Sequence, residues 1–435
     1  MAKNTFLKTK DVMKPEMVGK EVMLRGWVYR KRHLGAKIFI VLRDSEGIIQ
    51  CLVSKNDVDE KTWKEAERIT RESSFMVRGI IREDPRAHGG YELKVTWLRI
   101  VGLSEVFPIR GGEGVEYLLD KRHLWLRSRK LTAIMKVKHS VLKAAREYLI
   151  ENGWWEVTPP IITASACEGG ATLFEMKYFD QKAYLSQSAQ LYLEVLIFSL
   201  EKVWSLTPSF RAEKSRTRRH LAEYWHLELE GAWYHMEDMM KVSEELVSYI
   251  VKRVLEERDE ELKLLKRDKK KLERAVETPY PRIKYDEAIE ILQKKGFNIE
   301  WGEDLGADEE RALTEEFETP FFITHFPKQI KAFYMKLDPQ RPDVVLGFDL
   351  LAPEGYGEII GGSEREDDYN KLLQRIHEFG LNPKDYEWYL DLRRYGSVPH
   401  SGFGLGVERV VMWITGIDHI RDTIPFPRFR ERVYP

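Results

Sequence analysis

The chain has 435 residues, 43% of them hydrophobic and 32% charged, with 70 basic and 71 acidic side chains. That length exceeds one ordinary core and favours two domains, and the near-zero net charge leaves any polyanion binding to local basic patches rather than bulk charge. No apolar run reaches the roughly 18 residues of a membrane span, the opening MAKNTFLKTK lacks the apolar core of a secretion signal, and Cys51 and Cys167 offer neither a disulfide framework nor a zinc spacing. A reducing cytoplasm is the expected compartment, with no membrane partner.

Residues 21–103 alternate short β-rich runs with turns: EVMLRGWVYR, KIFIVLRD, GIIQCLV, SFMVRGIIRE and YELKVTWLRIVG. With the helix-like KTWKEAERIT between the third and fourth, they predict a small five-stranded barrel of the OB type, a fold that binds oligonucleotides on one face. The first domain is therefore set at 1–103. Residues 104–130 turn rich in glycine and charge and read as a linker. From 131 to 435 the pattern is α+β. TAIMKVKHSVLKAAREYLIENG has helical periodicity and stops at Gly153, a good C-cap, and QLYLEVLIFSLE is a second helix. YLSQS, KVWSLTPSFRAE, EYWHLELEGAWY, FFITHFP, FYMKLD and VLGFDLL read as strands of an antiparallel sheet. Residues 236–275 form a highly charged helical insert, expected to present a solvated face.

Three later segments carry chemistry. PSFRAEKSRTRRHLAEY (208–224) gathers Arg211, Arg216, Arg218, Arg219 and His220 on a strand–loop–strand. Guanidinium groups meet phosphate oxygens in bidentate fashion. Activation of a carboxylate by a triphosphate depends mostly on positioning and charge stabilisation. FDLLAPEGYGEIIGGSER (348–365) adds Asp349 and Glu358, two carboxylates suited to Mg²⁺, which keeps most of its waters. GFGLGVERVVM (402–412) supplies closely spaced glycines, which let backbone pack tightly, before Arg409.

With WWEVTPP (154–160) ahead of them, the 208–224 and 402–412 segments resemble, in order and spacing, motifs 1, 2 and 3 of class II aminoacyl-tRNA synthetases. The resemblance covers essentially the whole chain. It is strongest to the subclass of aspartyl, asparaginyl and lysyl enzymes, and within it to the archaeal-type asparaginyl group. It implies an OB-fold anticodon-binding barrel, a catalytic domain built on an antiparallel β-sheet flanked by helices, and a homodimer with motif 1, around Pro160, at the interface. It also implies ATP as substrate with Mg²⁺. Arg211 would hold the α-phosphate and the substrate carboxylate, Arg219 and His220 the terminal phosphates. Tyr224 would stack under adenine, Glu213 would sit beside the adenosine, and Arg409 would cover adenine and reach the γ-phosphate. Leu221 and Gly406 complete the nucleotide pocket, and Arg211, His220 and Arg409 form the catalytic set. Asp349 and Glu358 would hold the metal; at the third position after the glutamate, where many relatives have serine, this chain has Gly361. Glu168 would take the substrate's α-ammonium in a lid SACEGGAT that contains Gly169 and Gly170.

Specificity within the subclass turns on a few positions. Aspartyl enzymes read QSPQLYK where this chain has QSAQLYL, so the lysine that would meet a substrate carboxylate is Leu193. Ser188 and Gln190 flank it as amino-acid-binding positions. Glu228, at a position where aspartyl enzymes carry Asp, would accept from a side-chain amide, and Arg365 would donate to its carbonyl. This locally neutral pair suits asparagine, because an aspartate would set a second anion against Glu228 in a desolvated site. The expected reaction is formation of asparaginyl-AMP from L-asparagine and transfer to the 3′ end of tRNA(Asn). In the barrel, GWVYRKRHLGAKIFIVLRDSEGIIQ resembles the anticodon reader of the subclass. There Phe39 would stack on a base while Arg32 and Gln50 contact base edges, with U in the middle of the anticodon. Strand alternation turns Phe39 away from Ile38 and Ile40. An aspartyl enzyme is the near alternative. An ammonia-using asparagine synthetase would lack the barrel, and a non-catalytic tRNA-binding protein would not need Arg211, Glu358 and Arg409.

Overall fold

The structure, a computed structural model, describes residues 5–164, 167, 172–213 and 217–435. The chain divides into two compact units, Met1–Val115 and Glu116–Pro435. No helix among the described residues is long and apolar enough to cross a membrane.

The first unit is a closed barrel. Its strands run in the order Glu21–Leu34, Lys37–Arg43, Ile48–Ser54, Tyr91–Gly102 and Ser74–Glu83, and the last pairs with the first. All five expected strands are present. Period-two alternation puts Ile38, Ile40 and Leu42 into the core, fully buried, while Phe39 and Val41 face outward. The turn at Gly47 is set by Asp44, whose carboxylate accepts from the backbone N–H groups of Glu46 and Gly47. Asp59 caps the helix Glu60–Arg68 by accepting from Thr62 N, and Trp63 and Ala66 carry that helix into the barrel core.

The second unit is built on an eight-stranded sheet in the order Arg282–Lys284, Phe321–Thr324, Gly347–Ala352, Gly357–Glu364, His400–Gly406, Glu223–Ala232, Lys202–Phe210 and Trp155–Glu156. The pairing is antiparallel except at the two edges, where Arg282–Lys284 and Trp155–Glu156 pair parallel with their neighbours. Two expected strands lie elsewhere: Gln181–Leu185 belongs to a small three-stranded sheet, and only Leu337–Asp338 of FYMKLD is strand, paired with Arg341–Val345. Helix Arg129–Glu151 is capped by Ser128, whose hydroxyl accepts from Leu131 N, and Gly153 beyond its end adopts a φ of +74°.

The helix Met236–Glu257, read from sequence as the start of a solvated insert, is instead a core helix. It buries Met239, Met240, Leu246, Val247, Ile250 and Val251 against the sheet and helix Arg129–Glu151. Its charges are spaced so that the apolar stripe is intact, and a count of charges hides that stripe. The stretch read as linker contains helices Val115–Asp120 and Arg122–Trp125, and Arg122 is buried, donating to the carbonyls of Arg421, Ile424 and Pro425.

Candidate active site

The central strands of the large sheet floor two adjoining cavities. The larger, about 490 Å³, is lined by Ser188, Gln190, Leu193, Glu228, Glu230, Lys331, Asp349 and Arg365 among others. The smaller is lined by Glu213, Arg219, His220, Leu221, Tyr224, Gly406 and Arg409. Arg211, His226, Glu358 and Gly404 line both. The glycines of strand His400–Gly406 make room for this: a Cβ on Gly404 would lie 2.3 Å from His226 Nε2, and one on Gly402 would collide with Leu229 O at the same distance. Gly406 differs, since a Cβ there would meet only Arg409 at ordinary contact.

In the larger cavity, Glu228 is buried and held on both oxygens: Ser188 Oγ donates to Oε1, and Ala189 N donates to Oε2 at 2.8 Å. Burial pushes its carboxyl upward from the usual range. Arg365 is not paired with Glu228. Its guanidinium forks onto Glu230, Nε to Oε1 at 3.1 Å and Nη2 to Oε2 at 3.0 Å, and Nη1 donates to Ser363 Oγ at 2.7 Å. Those bonds use three of the five guanidinium N–H groups. The expected locally neutral pair of Glu228 and Arg365 is not what forms: Glu230 fixes the arginine, and two carboxylates share the cavity wall with it.

Behind it lies a second buried ion cluster. Glu194 accepts from Arg393 Nη2 at 2.9 Å, Tyr389 Oη at 2.8 Å and Gln190 Nε2 at 3.1 Å, and meets His400 Nε2 at 2.8 Å. Burial opposes its ionisation, but Arg393 and His400 outweigh that and hold the carboxyl far below its usual range. Gln190 thus lines the cavity while its amide anchors Glu194. Leu193 is fully buried, packed with Ala189, Ile197, Val203 and Ala232 beside the cavity wall.

The smaller cavity is bounded by the strand–loop–strand and by Arg409 at the start of helix Val407–Thr415. The Arg211 guanidinium lies over the Tyr224 ring, 5.6 Å from its centroid. Arg409 Nη1 donates to Glu358 Oε2 and to the Glu358 carbonyl, both at 3.1 Å. Arg219 pairs with Glu310 at 2.9 Å, and Glu310 also accepts from Glu358 N at 3.0 Å. His220 hydrogen-bonds Thr217 and lies 3.6 Å from Glu213. Burial, and then the charge of Arg409, push the His220 imidazolium down from its usual range.

Asp349 and Glu358 come together from neighbouring strands. Gly361 stands between them: a Cβ there would lie 3.1 Å from Glu358 Oε1 and 3.4 Å from Asp349 Oδ1. Burial pushes the Asp349 carboxyl to about 7 against the pull of Lys331, whose ammonium is 2.7 Å away. Glu358 is held at about 2, because Arg409, Lys331 and Arg219 outweigh its burial. Two hard oxygen donors bordering one small space that any side chain at 361 would fill fit an Mg²⁺ that retains water.

On the barrel, Arg32 pairs directly across from Phe39, and Gln50 sits opposite Val41 on the strand beyond. Arg32 and Gln50 therefore flank the Phe39 strand on the outer face. Gln50 Nε2 donates to Glu92 at 2.9 Å, and Arg82 pairs with the same carboxylate at 2.6 Å. Glu168, Gly169, Gly170 and Arg216 lie outside the described residues. Cys167 is buried.

Among the described residues, those expected from sequence to bind nucleotide, amino acid and metal line two adjoining cavities, and Glu230, Glu194, Arg393, His400, Glu310 and Lys331 beside them were not singled out. Glu230 was legible: in HLELE it follows Glu228 by two residues on a strand and must share its face.

Comparison with known proteins agrees. A family described as class II tRNA synthetases (D, K and N) matches residues 114–430, and an OB-fold nucleic acid binding domain matches residues 22–101. The asparagine–tRNA ligase of Thermococcus kodakarensis is 62% identical over 97% of both chains. The crystal structure of Pyrococcus horikoshii asparaginyl-tRNA synthetase complexed with asparaginyl-adenylate superposes with a TM-score of 0.96 at 60% identity over 100% of both chains. The Entamoeba histolytica asparaginyl-tRNA synthetase in complex with asparaginyl-adenylate gives 0.89 at 34% over the same coverage.

Proposed function

The chain belongs to the class II aminoacyl-tRNA synthetases of the aspartate, asparagine and lysine group, and from that premise we infer that it activates L-asparagine with ATP and transfers the asparaginyl group to the 3′ end of tRNA(Asn). The observation that carries this reading is Arg211 on the wall of both cavities. One guanidinium can then meet the amino-acid carboxylate on one side and the α-phosphate on the other.

In the first step a carboxylate oxygen attacks the α-phosphorus, the bond to pyrophosphate breaks, and asparaginyl-AMP forms. Arg211 orients the attacking oxygen and balances charge at the α-phosphorus; Arg219, Arg409 and His220 receive the departing phosphates. Tyr224 and Arg409 sandwich adenine, with Glu213, Leu221 and Gly406 around the nucleoside. Asp349 and Glu358 would hold Mg²⁺, which neutralises phosphate charge. Glu168 is assigned the α-ammonium by the motif resemblance. In the second step a ribose hydroxyl of the tRNA attacks the carbonyl and AMP leaves.

Amide selection follows from the larger cavity. Glu228 lines it, anchored by Ser188 and Ala189 N with His226 Nδ1 3.5 Å away, and accepts from the asparagine N–H groups; Arg365, aimed by Glu230, donates to the carbonyl oxygen. Aspartate would bring a third carboxylate against Glu228 and Glu230. In the barrel we assign Phe39 to base stacking and Arg32 and Gln50 to base edges of the anticodon, with 1–103 as the anticodon-binding domain, 104–130 as connector and 131–435 as the catalytic domain. Exposed Trp155, Ile161 and Ile162 around motif 1 support a homodimer interface there. A cytoplasmic setting follows from a tRNA substrate.

The test is amino-acid-dependent ATP–pyrophosphate exchange. Exchange with asparagine and not aspartate supports the whole reading. Exchange with aspartate removes the amide assignment and leaves the class II chemistry. Absence of exchange with either amino acid overturns the activity.

A further inference from the structure

We propose that Lys331 is a further substrate-contacting cation of the activation step: its ammonium, held here by Asp349, moves to the anion formed where the amino-acid carboxylate meets the α-phosphate and thereby releases Asp349 to Mg²⁺. This rests on the function proposed above.

Lys331 belongs to neither cationic motif. It sits in the segment between strands Phe321–Thr324 and Leu337–Asp338, with Nζ 3.9 Å from the centroid of the Phe326 ring, and it lines the larger cavity together with Arg211, Ser188 and Glu228. Its ammonium is 2.7 Å from Asp349 Oδ2 and feels the charge of Glu358 as well. It therefore stands against one of the two carboxylates that frame the space beside Gly361.

A monocation and a dication do not share one carboxylate cheaply. Like charges a few ångströms apart repel strongly in a partly buried site, and a dication doubles the repulsion. Metal arriving at Asp349 drives the ammonium off. A flexible four-carbon stem lets the ammonium swing without leaving the site. The anion within the cavity it already lines is the carboxylate–phosphate junction. Metal and anionic substrate then reinforce one another: each supplies the partner the other displaces.

The test pairs Lys331→Met with Lys331→Arg. Mn²⁺ binding to the protein without nucleotide is followed by electron paramagnetic resonance, and asparagine-dependent exchange is measured in parallel. In Lys331→Met, Mn²⁺ affinity without nucleotide rises by about tenfold or more, since the internal competitor is gone, while kcat for exchange falls by about 10²-fold. Lys331→Arg keeps Mn²⁺ affinity at the wild-type level. The two readouts moving in opposite directions is the signature, because a merely structural lysine would lower both. Exchange in Lys331→Met within about threefold of wild type, or Mn²⁺ affinity unchanged or lowered, overturns the proposal. Wild-type protein without asparagine-dependent exchange would overturn the underlying function instead.

Discussion

The two ends of the site hold their charges differently. At the amino-acid end the pairs are sealed: Arg365 and Glu230 side chains are 4% and 0% exposed, and Arg393 and Glu194 both 0%. Around Glu358, where the two cavities meet, the pairs are more open: Arg409 and Glu358 are 23% and 35% exposed, Arg219 and Glu310 13% and 16%, Lys331 and Asp349 17% and 18%. Sealed pairs cannot exchange partners with a ligand, so they fix geometry, and fixed donors and acceptors are what discrimination between amide and carboxylate requires. Open pairs can exchange. On the function proposed above, phosphates would take the arginines and leave the carboxylates to a metal. Selection and charge neutralisation, two demands of one reaction, are thus met by pairs of different burial.

The sharpest way to break this contrast is Glu230→Gln. It leaves Arg365 buried without the charge of the carboxylate it forks onto, and breaking a buried pair costs about 3–5 kcal/mol. We expect a clear loss of thermal stability together with a KM for asparagine raised by about 10²-fold or more, at little change in KM for ATP. Retained asparagine affinity would show that Glu230 does not aim the arginine. Next in size is Leu193→Lys combined with Glu228→Asp. A cation added at the cavity wall and an anion drawn back should move the Asp-to-Asn preference in exchange by about 10²-fold, on the several kcal/mol that like-charge contact costs. An unmoved preference would sink the amide assignment.

The nucleotide end should respond more mildly and in both directions. Arg219→Gln raises KM for ATP by roughly 10-fold, the worth of one charge-assisted phosphate contact. Glu310→Gln removes only an internal partner of Arg219, so KM for ATP should hold or fall by a few-fold. If both variants weaken ATP binding alike, the pair is structural and the exchange picture fails at that point.

Legibility in the sequence followed the same division. Barrel strands with period-two apolar runs, such as KIFIVLRD, were readable to within a few residues at their ends because burial on one face writes itself into alternation. The arginines of 208–224 and Arg409 were readable because phosphate chemistry needs that residue type in quantity. Glu194 left a faint mark, a lone charge in the apolar helix QLYLEVLIFSL, fully buried. Arg393, its partner 199 residues away, left none, since long-range pairing of buried ions follows the fold and not the local pattern. Glu310 and Lys331 sit in charged stretches where a functional residue looks like a solvated one. The helix Met236–Glu257 was misread for the reverse reason: a dense charge count covered a continuous apolar stripe.

The smallest effect lies at the rim of the nucleotide end, where His419 caps the turn Ile420–Thr423 by accepting from Arg421 N, and Ile420 N in turn donates to Arg218 O of the arginine-rich loop. Burial, with help from Arg421, pushes the His419 imidazolium down to about 4 from 6.5. The folded form therefore prefers the neutral ring, so its stabilisation is present above pH 6.5 and is lost as pH falls through about 4. Discounted for partial exposure, the contribution is on the order of 1–2 kcal/mol. His419→Asn keeps a capping acceptor but removes the titration. Its melting temperature should fall less steeply than that of wild type between pH 6.5 and 4, and the difference should vanish above pH 7. Parallel curves would mean that the ring takes its proton at the same pH in the folded and unfolded chain, or that this turn opens without weakening the fold.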